Sequence, residues 1–187
     1  MVNMGRLGII VLSVFWLQTS WAAGQIQDMK LQKHGMEVWG LFIQPVKMKM
    51  ADVANAKQKK AMADMPEMDD NSDLHLEAKI YATDNNPWGF IKGAWIPYLT
   101  VGFQVEKLGS EEWMTDGKLM PMVANNGPHY GANVKLNGIG KYKVTYYVSP
   151  PSLMIHTDKE TAATDWWMPF SFSWEVTYTG IGKKGGY

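Results

Sequence analysis

The chain contains no cysteine in 187 residues. That absence excludes a disulfide-stapled scaffold, a thiolate zinc site and a cysteine nucleophile. Excess charge is absent as well. Eighteen basic residues balance eighteen acidic ones, without the clustered basic surplus of a nucleic-acid-binding protein. The cluster Lys57, Lys59 and Lys60 is soon followed by Asp64, Glu67, Asp69 and Asp70, and reads as a solvated face. A Gly-x-Ser-x-Gly elbow, a phosphate-cradling glycine loop and a His-Glu-x-x-His helix are all missing, which argues against a hydrolase. Redox chemistry at a bound metal stays open.

The apolar run Leu7 to Leu17 is too short for a membrane span. With Arg6 before it and Ser20-Trp21-Ala22 after it, the run reads as the apolar centre of a signal peptide cleaved after Ala22. Residues 1–22 are thus expected to be a signal peptide, and residues 23–187 a single domain with no direct membrane insertion after cleavage. That length suffices for a core without disulfides.

Helical periodicity is scarce, and period-two alternation is abundant. Met36 to Val46 is apolar, β-branched and aromatic, and reads as a strand. Leu74, Leu76, Ala78 and Ile80 alternate with His75, Glu77, Lys79 and Tyr81, the pattern of a half-buried strand. Further strands are expected over 96–107, 141–149 and 168–178, and a pair of short strands over 113–123 about the hairpin-type dipeptide Asp116-Gly117. Short strands separated by turn signals predict an all-β fold, a β-sandwich. Residues 47–72 interrupt the pattern with an excursion that carries Met48, Met50, Met62, Met65 and Met68, and one or two helical turns are expected around 53–62. Five thioethers there suit either an accessory metal-capture segment or an amphipathic flap over the sandwich.

With cysteine missing, any metal must be held by histidine, methionine or carboxylate. Alternation puts His75 and Glu77 on one face of their strand, opposite the leucines. Met120 and Met122 flank Pro121, which disfavours a central strand position and marks an edge or bulge. Gly127-Pro128 then predicts a tight loop that brings His129 back toward Met122. Thioether with imidazole suits copper better than magnesium or calcium. His156 is a loop histidine, and His34 reads as an exposed residue leading into a strand.

Taken together, several runs resemble the bacterial periplasmic high-affinity iron-transport protein family, the copper-dependent type that works beside an inner-membrane iron permease. They include Asp73-Leu-His-Leu-Glu-Ala78, Trp95-Ile-Pro-Tyr-Leu-Thr100, Leu119-Met-Pro-Met-Val-Ala124, Gly127-Pro-His-Tyr-Gly131, Pro150-Pro-Ser152 and His156-Thr-Asp-Lys-Glu-Thr161. The resemblance implies a periplasmic, immunoglobulin-like β-sandwich that forms a homodimer, with copper near the dimer interface and iron as the cargo passed to the permease. The matching ligands are His75, Met122, His129 and His156, with Glu77 adjoining. A copper chaperone or buffer without an iron role is the alternative. Lys79 and Asn126 stand where the family often has acids. A cationic ammonium and a neutral amide are poorer partners for a hard cation than a carboxylate.

Overall fold

The structure is a computed structural model, and it describes residues 29–49, 71–109 and 112–180. The expected signal peptide, the expected helical turns and Met50, Met62, Met65 and Met68 lie outside the described residues. Among those described, eight strands form and no helix does. They are β1 (Lys30–Lys33), β2 (Met36–Ile43), β3 (Leu74–Ala82), β4 (Thr100–Lys107), β5 (Met114–Ala124), β6 (Gly127–Val134), β7 (Gly140–Ser149) and β8 (Phe170–Tyr178).

All pairings are antiparallel, in the order β1-β2-β3-β6-β5-β4-β7-β8. The sheet curls into two layers because β5 changes partner along its length. Its first half, as far as Leu119, pairs with β4, and its second half, from Met120, pairs with β6. The fold is the all-β sandwich expected from the alternation, in the immunoglobulin-like form that the family resemblance implies. Between the layers lie Val38, Leu76, Ala78, Ile80, Val101, Val105, Tyr130, Val144, Tyr146 and Val148, all essentially inaccessible to solvent. Each of the valine, leucine and isoleucine side chains contributes about 1.5–3 kcal/mol when fully buried. Close approach of the layers depends on Gly40 of β2, where a Cβ would stand 2.6 Å from the Trp174 ring of β8.

Two expectations are corrected. Asp116-Gly117 is no hairpin turn, because β5 runs through it unbroken. Gly117 is opposite Phe103, and a Cβ there would lie 2.9 Å from that ring, so the glycine makes room for an aromatic neighbour. The turn comes later, at Asn125-Asn126, between the paired residues Ala124 and Gly127. Nor is Gly127-Pro-His a loop. It opens β6, which is paired on both sides, to β3 and to β5. Pro121 does lie at an edge: the β4 ladder ends at Leu119, leaving β6 as the strand paired with Pro121. An edge is where a residue without an N–H is tolerated.

Candidate metal centre

Strand register builds the site on the outer face of the layer β2-β3-β6-β5. One cross-strand row is Leu41, Glu77, Gly131 and Met120. The next is Ile43, His75 and Asn133. On the other side Trp39 pairs with Lys79, and His129 with Met122. Directly opposed residues point to the same face of a sheet, so the two histidines, the glutamate and both methionines converge there. Met120 and Met122 are half-buried.

This face is not the solvated side of a half-buried strand. His75 is fully buried, and Glu77 and His129 are nearly so. After β2 the chain folds back across the face, where Val46 donates its N–H to Asn133 Oδ1 (3.3 Å) and accepts from Asn133 Nδ2 (2.9 Å). A connection running over the face removes the water that alternation alone would predict.

His75, Glu77 and His129 each offer a ligand atom within 4.8 Å of the others. His129 Nε2 is 3.7 Å and His75 Nε2 4.0 Å from Glu77 Oε1. The two rings meet edge to face, 6.0 Å between centroids. Their tautomers follow from their other nitrogens. Asn133 Nδ2 is committed to Val46, so Oδ1 accepts the His75 Nδ1–H at 2.9 Å. His129 Nδ1–H donates to the Gly127 carbonyl at 3.3 Å. In the neutral form both rings therefore turn a bare Nε2 lone pair toward Glu77. An outer hydrogen bond that fixes the ring in this way is the usual companion of a metal-bound histidine. Burial is the main cause of a His75 pKa below its ordinary value, and the nearby positive potential of His129 adds to it, against the Asn133 and Glu77 contributions.

The donor set fits a soft-to-borderline metal ion. His75 Nε2 is buried without a hydrogen-bond partner, and such an orphan is costly unless something binds it. Gly131 is shaped around the same atom: a Cβ there would lie 2.7 Å from Nε2. Two imidazole nitrogens, a carboxylate oxygen and neighbouring thioethers form a set that copper accepts readily.

His156 is not brought to this cluster. It stands in the 150–169 connection with its side chain 74% exposed. Its Nδ1 is 2.8 Å from Thr161 Oγ1, and the Thr161 hydroxyl donates to Asp158 Oδ2. That hydroxyl has a single proton, so Nδ1–H is the donor to Oγ1, which in the neutral ring leaves Nε2 as the nitrogen with the free lone pair. The Thr161 hydroxyl also holds the Asp158 carboxyl below the usual carboxylate range. His34 is elsewhere and stacks on Trp167, 6.2 Å away. Sequence reasoning passed over Asn133 and Gly131 as site residues. Their signal is the 129, 131, 133 spacing, legible only once β6 is known to be a strand.

Residues 24–180 match the family described as Fe2+ transport protein. A UPF0423 protein of Brucella abortus (strain 2308) is 42% identical over 159 residues, spanning 82% of this chain and 80% of that protein. Copper-reconstituted P19 from Campylobacter jejuni is 35% identical, with a TM-score of 0.67 over 82% of this chain and 95% of P19. FetP from uropathogenic Escherichia coli strain F11, recombinantly expressed in the periplasm, is 38% identical, with a TM-score of 0.67 over 82% of this chain and 94% of FetP. With its sandwich, its match over most of the chain and its relatives all in agreement, this chain belongs to the Fe2+ transport protein family.

Proposed function

We propose that the protein is a periplasmic, copper-dependent iron-binding protein that takes up iron and delivers it to an inner-membrane iron permease. Copper is held by His75 and His129 through Nε2, by the Met122 thioether and by His156, with Glu77 adjoining. His156 comes from a second copy in a homodimer, since in its own chain it stands apart from the cluster and exposed. The observation that carries the reading is the orphaned Nε2 of His75, aimed with that of His129 at one carboxylate oxygen. Bound copper supplies either a structural anchor or a one-electron redox centre beside the cargo.

The chain's own residues do the rest. Asn133 and the Gly127 carbonyl hold the two imidazoles in the ligating tautomer. Gly131 leaves the space into which the His75 ring leans. The crossing at Val46 keeps bulk water off the face, and a drier site strengthens every charge interaction within it.

The test is a Cu(II) titration of the metal-stripped protein, followed by the paramagnetic signal, beside His129→Ala and a Met122→Ala, His129→Ala double variant. One tight copper per chain, lost in the variants, is expected. Identical binding in all three proteins would sink the assignment. Iron titration of the copper-loaded protein follows, with growth of a deletion strain under iron limitation. Tight copper with no iron binding and no iron phenotype would make the protein a copper buffer instead.

A further inference from the structure

Glu77 has two carboxylate oxygens, and the structure uses them differently. Oε1 faces the two histidines, 3.7 Å from His129 Nε2 and 4.0 Å from His75 Nε2. Oε2 faces Lys79, whose Nζ is 3.9 Å away. The Lys79 side chain is only 13% exposed, although it is long enough to reach water. Lysine is a compact, strongly hydrated charge and is seldom buried this far without a partner. Lys79 pairs with Trp39 on β2, and one step beyond the Ala78–Tyr130 pair it is level with His129 on β6. Its ammonium is thus built into the same face, beside the carboxylate and next to a histidine.

A carboxylate with both oxygens free can bridge two cations about 3.5–4 Å apart, the arrangement of two-metal sites. Here a tethered monovalent cation already stands on the second side. While protonated, an ammonium has three donors and no acceptor, so it offers no lone pair to a metal and repels one by its charge. Its effect is weakly screened, because the pair is largely out of water.

We infer that Lys79 is a specificity-determining residue that limits this centre to one cation: it claims Oε2, so that a metal on His75 and His129 meets Glu77 through Oε1 alone. The inference rests on the proposed metal role of His75 and His129. Its consequence is that copper and a hard divalent ion such as iron do not share Glu77. They occupy that carboxylate in turn, and any iron held beside bound copper lies on other residues.

The test uses Mn(II) as a hard, oxygen-seeking probe of the second side. Copper outcompetes manganese for nitrogen and sulfur ligands, so copper is loaded first and manganese is titrated afterwards, by loss of its free-ion paramagnetic signal. Wild-type protein is expected to hold one copper and to bind no manganese through Glu77, so that any manganese it takes up is unchanged in Glu77→Gln. Lys79→Asp and Lys79→Glu place a second carboxylate beside Oε2. They are expected to keep one copper and to gain one manganese per chain, tighter than wild type by about tenfold or more, the direction set by reversing an adjacent charge. Lys79→Met keeps the length without the charge and should fall between. Manganese binding by the copper-loaded wild type that is lost in Glu77→Gln overturns the inference. So does unchanged manganese affinity across variants that retain their copper. A wild-type protein that takes up no copper overturns the metal centre itself, which is a separate result.

Discussion

Asn133 and His75 face each other across the β3–β6 ladder, and the amide oxygen of one accepts the Nδ1–H of the other at 2.9 Å. The same amide is clamped from outside by both backbone groups of Val46. A single side chain therefore ties the crossing segment, the imidazole orientation and the imidazole tautomer together. Removing it in Asn133→Ala frees the ring to rotate and to protonate either nitrogen. Copper affinity should fall about 10–100-fold, the usual scale for losing such an outer partner. Asn133→Asp still accepts from Nδ1 and should keep most of that affinity, although it cannot donate to Val46. Competitive copper titration of both variants checks the ranking.

Glycines 131 and 40 separate the site from the scaffold. In Gly131→Ala the new Cβ meets His75 Nε2 at 2.7 Å and the Leu76 carbonyl at 3.1 Å. Copper binding should be lost or strongly weakened, because the ligand atom itself is displaced. In Gly40→Ala the Cβ meets the Trp174 ring at 2.6 Å, between the layers. That overpacking should cost about 1–3 kcal/mol of stability while copper still binds one to one in the folded protein. Denaturant unfolding and copper titration, run on both variants, distinguish the two outcomes.

Strands β7 and β8 were legible in the sequence because each buries one apolar face, with Tyr142, Val144, Tyr146 and Val148 on one and Phe170, Trp174, Val176 and Tyr178 on the other. The shared face of His75 and Glu77 was legible for the same reason. Their burial was not. Alternation encodes the apolar side of β3, and the cover on its polar side comes from a distant segment held by an amide. Strand β6 was hidden because Gly127-Pro128 signals a turn locally, whereas the turn lies just before it at Asn125-Asn126 and Gly131 makes space for an imidazole. Pairing of Gly127 and Pro128 with β5, continued by pairing of Tyr130 to Val134 with β3, outweighs such local preference. Gly117 misled likewise, since a glycine needed for an aromatic ring looks the same in sequence as one needed for a turn.

Alkaline pH should unfold the protein through its core tyrosines. Burial raises the Tyr130 pKa to about 12, and burial with the nearby Asp73 carboxylate raises that of Tyr178 to about 12. Burial and the negative charge of Glu77 push Tyr146 well above its ordinary value. In the unfolded chain these phenols ionise near 10. Between that value and about 12 the folded state holds more protons than the unfolded one. Stability is then full below pH 10 and falls as pH rises through the folded values, by up to about 1.4 kcal/mol per unit for each group. Denaturant midpoints across this range, beside phenolate absorbance, should show the loss, and Tyr130→Phe should reduce its slope. A slope unchanged by that substitution would remove Tyr130 from the account.

Thr161 offers the sharpest test of His156. Its hydroxyl donates to Asp158 and accepts from His156 Nδ1, so it links the imidazole to a carboxylate whose Oδ2 also lies 3.7 Å from Nδ1. Asp158 is itself fixed, accepting the backbone N–H groups of Glu160 and Thr161 at 3.0 and 2.8 Å. If His156 completes the copper centre of a second copy, Thr161→Val should lower copper affinity by about tenfold or more with the unfolding midpoint unchanged, and Thr161→Ser should restore it. The loss should also deepen on dilution, as copper sites shared between chains come apart. Equal copper affinity in Thr161→Val, Thr161→Ser and wild type would detach the Asp158–Thr161–His156 chain from the metal centre.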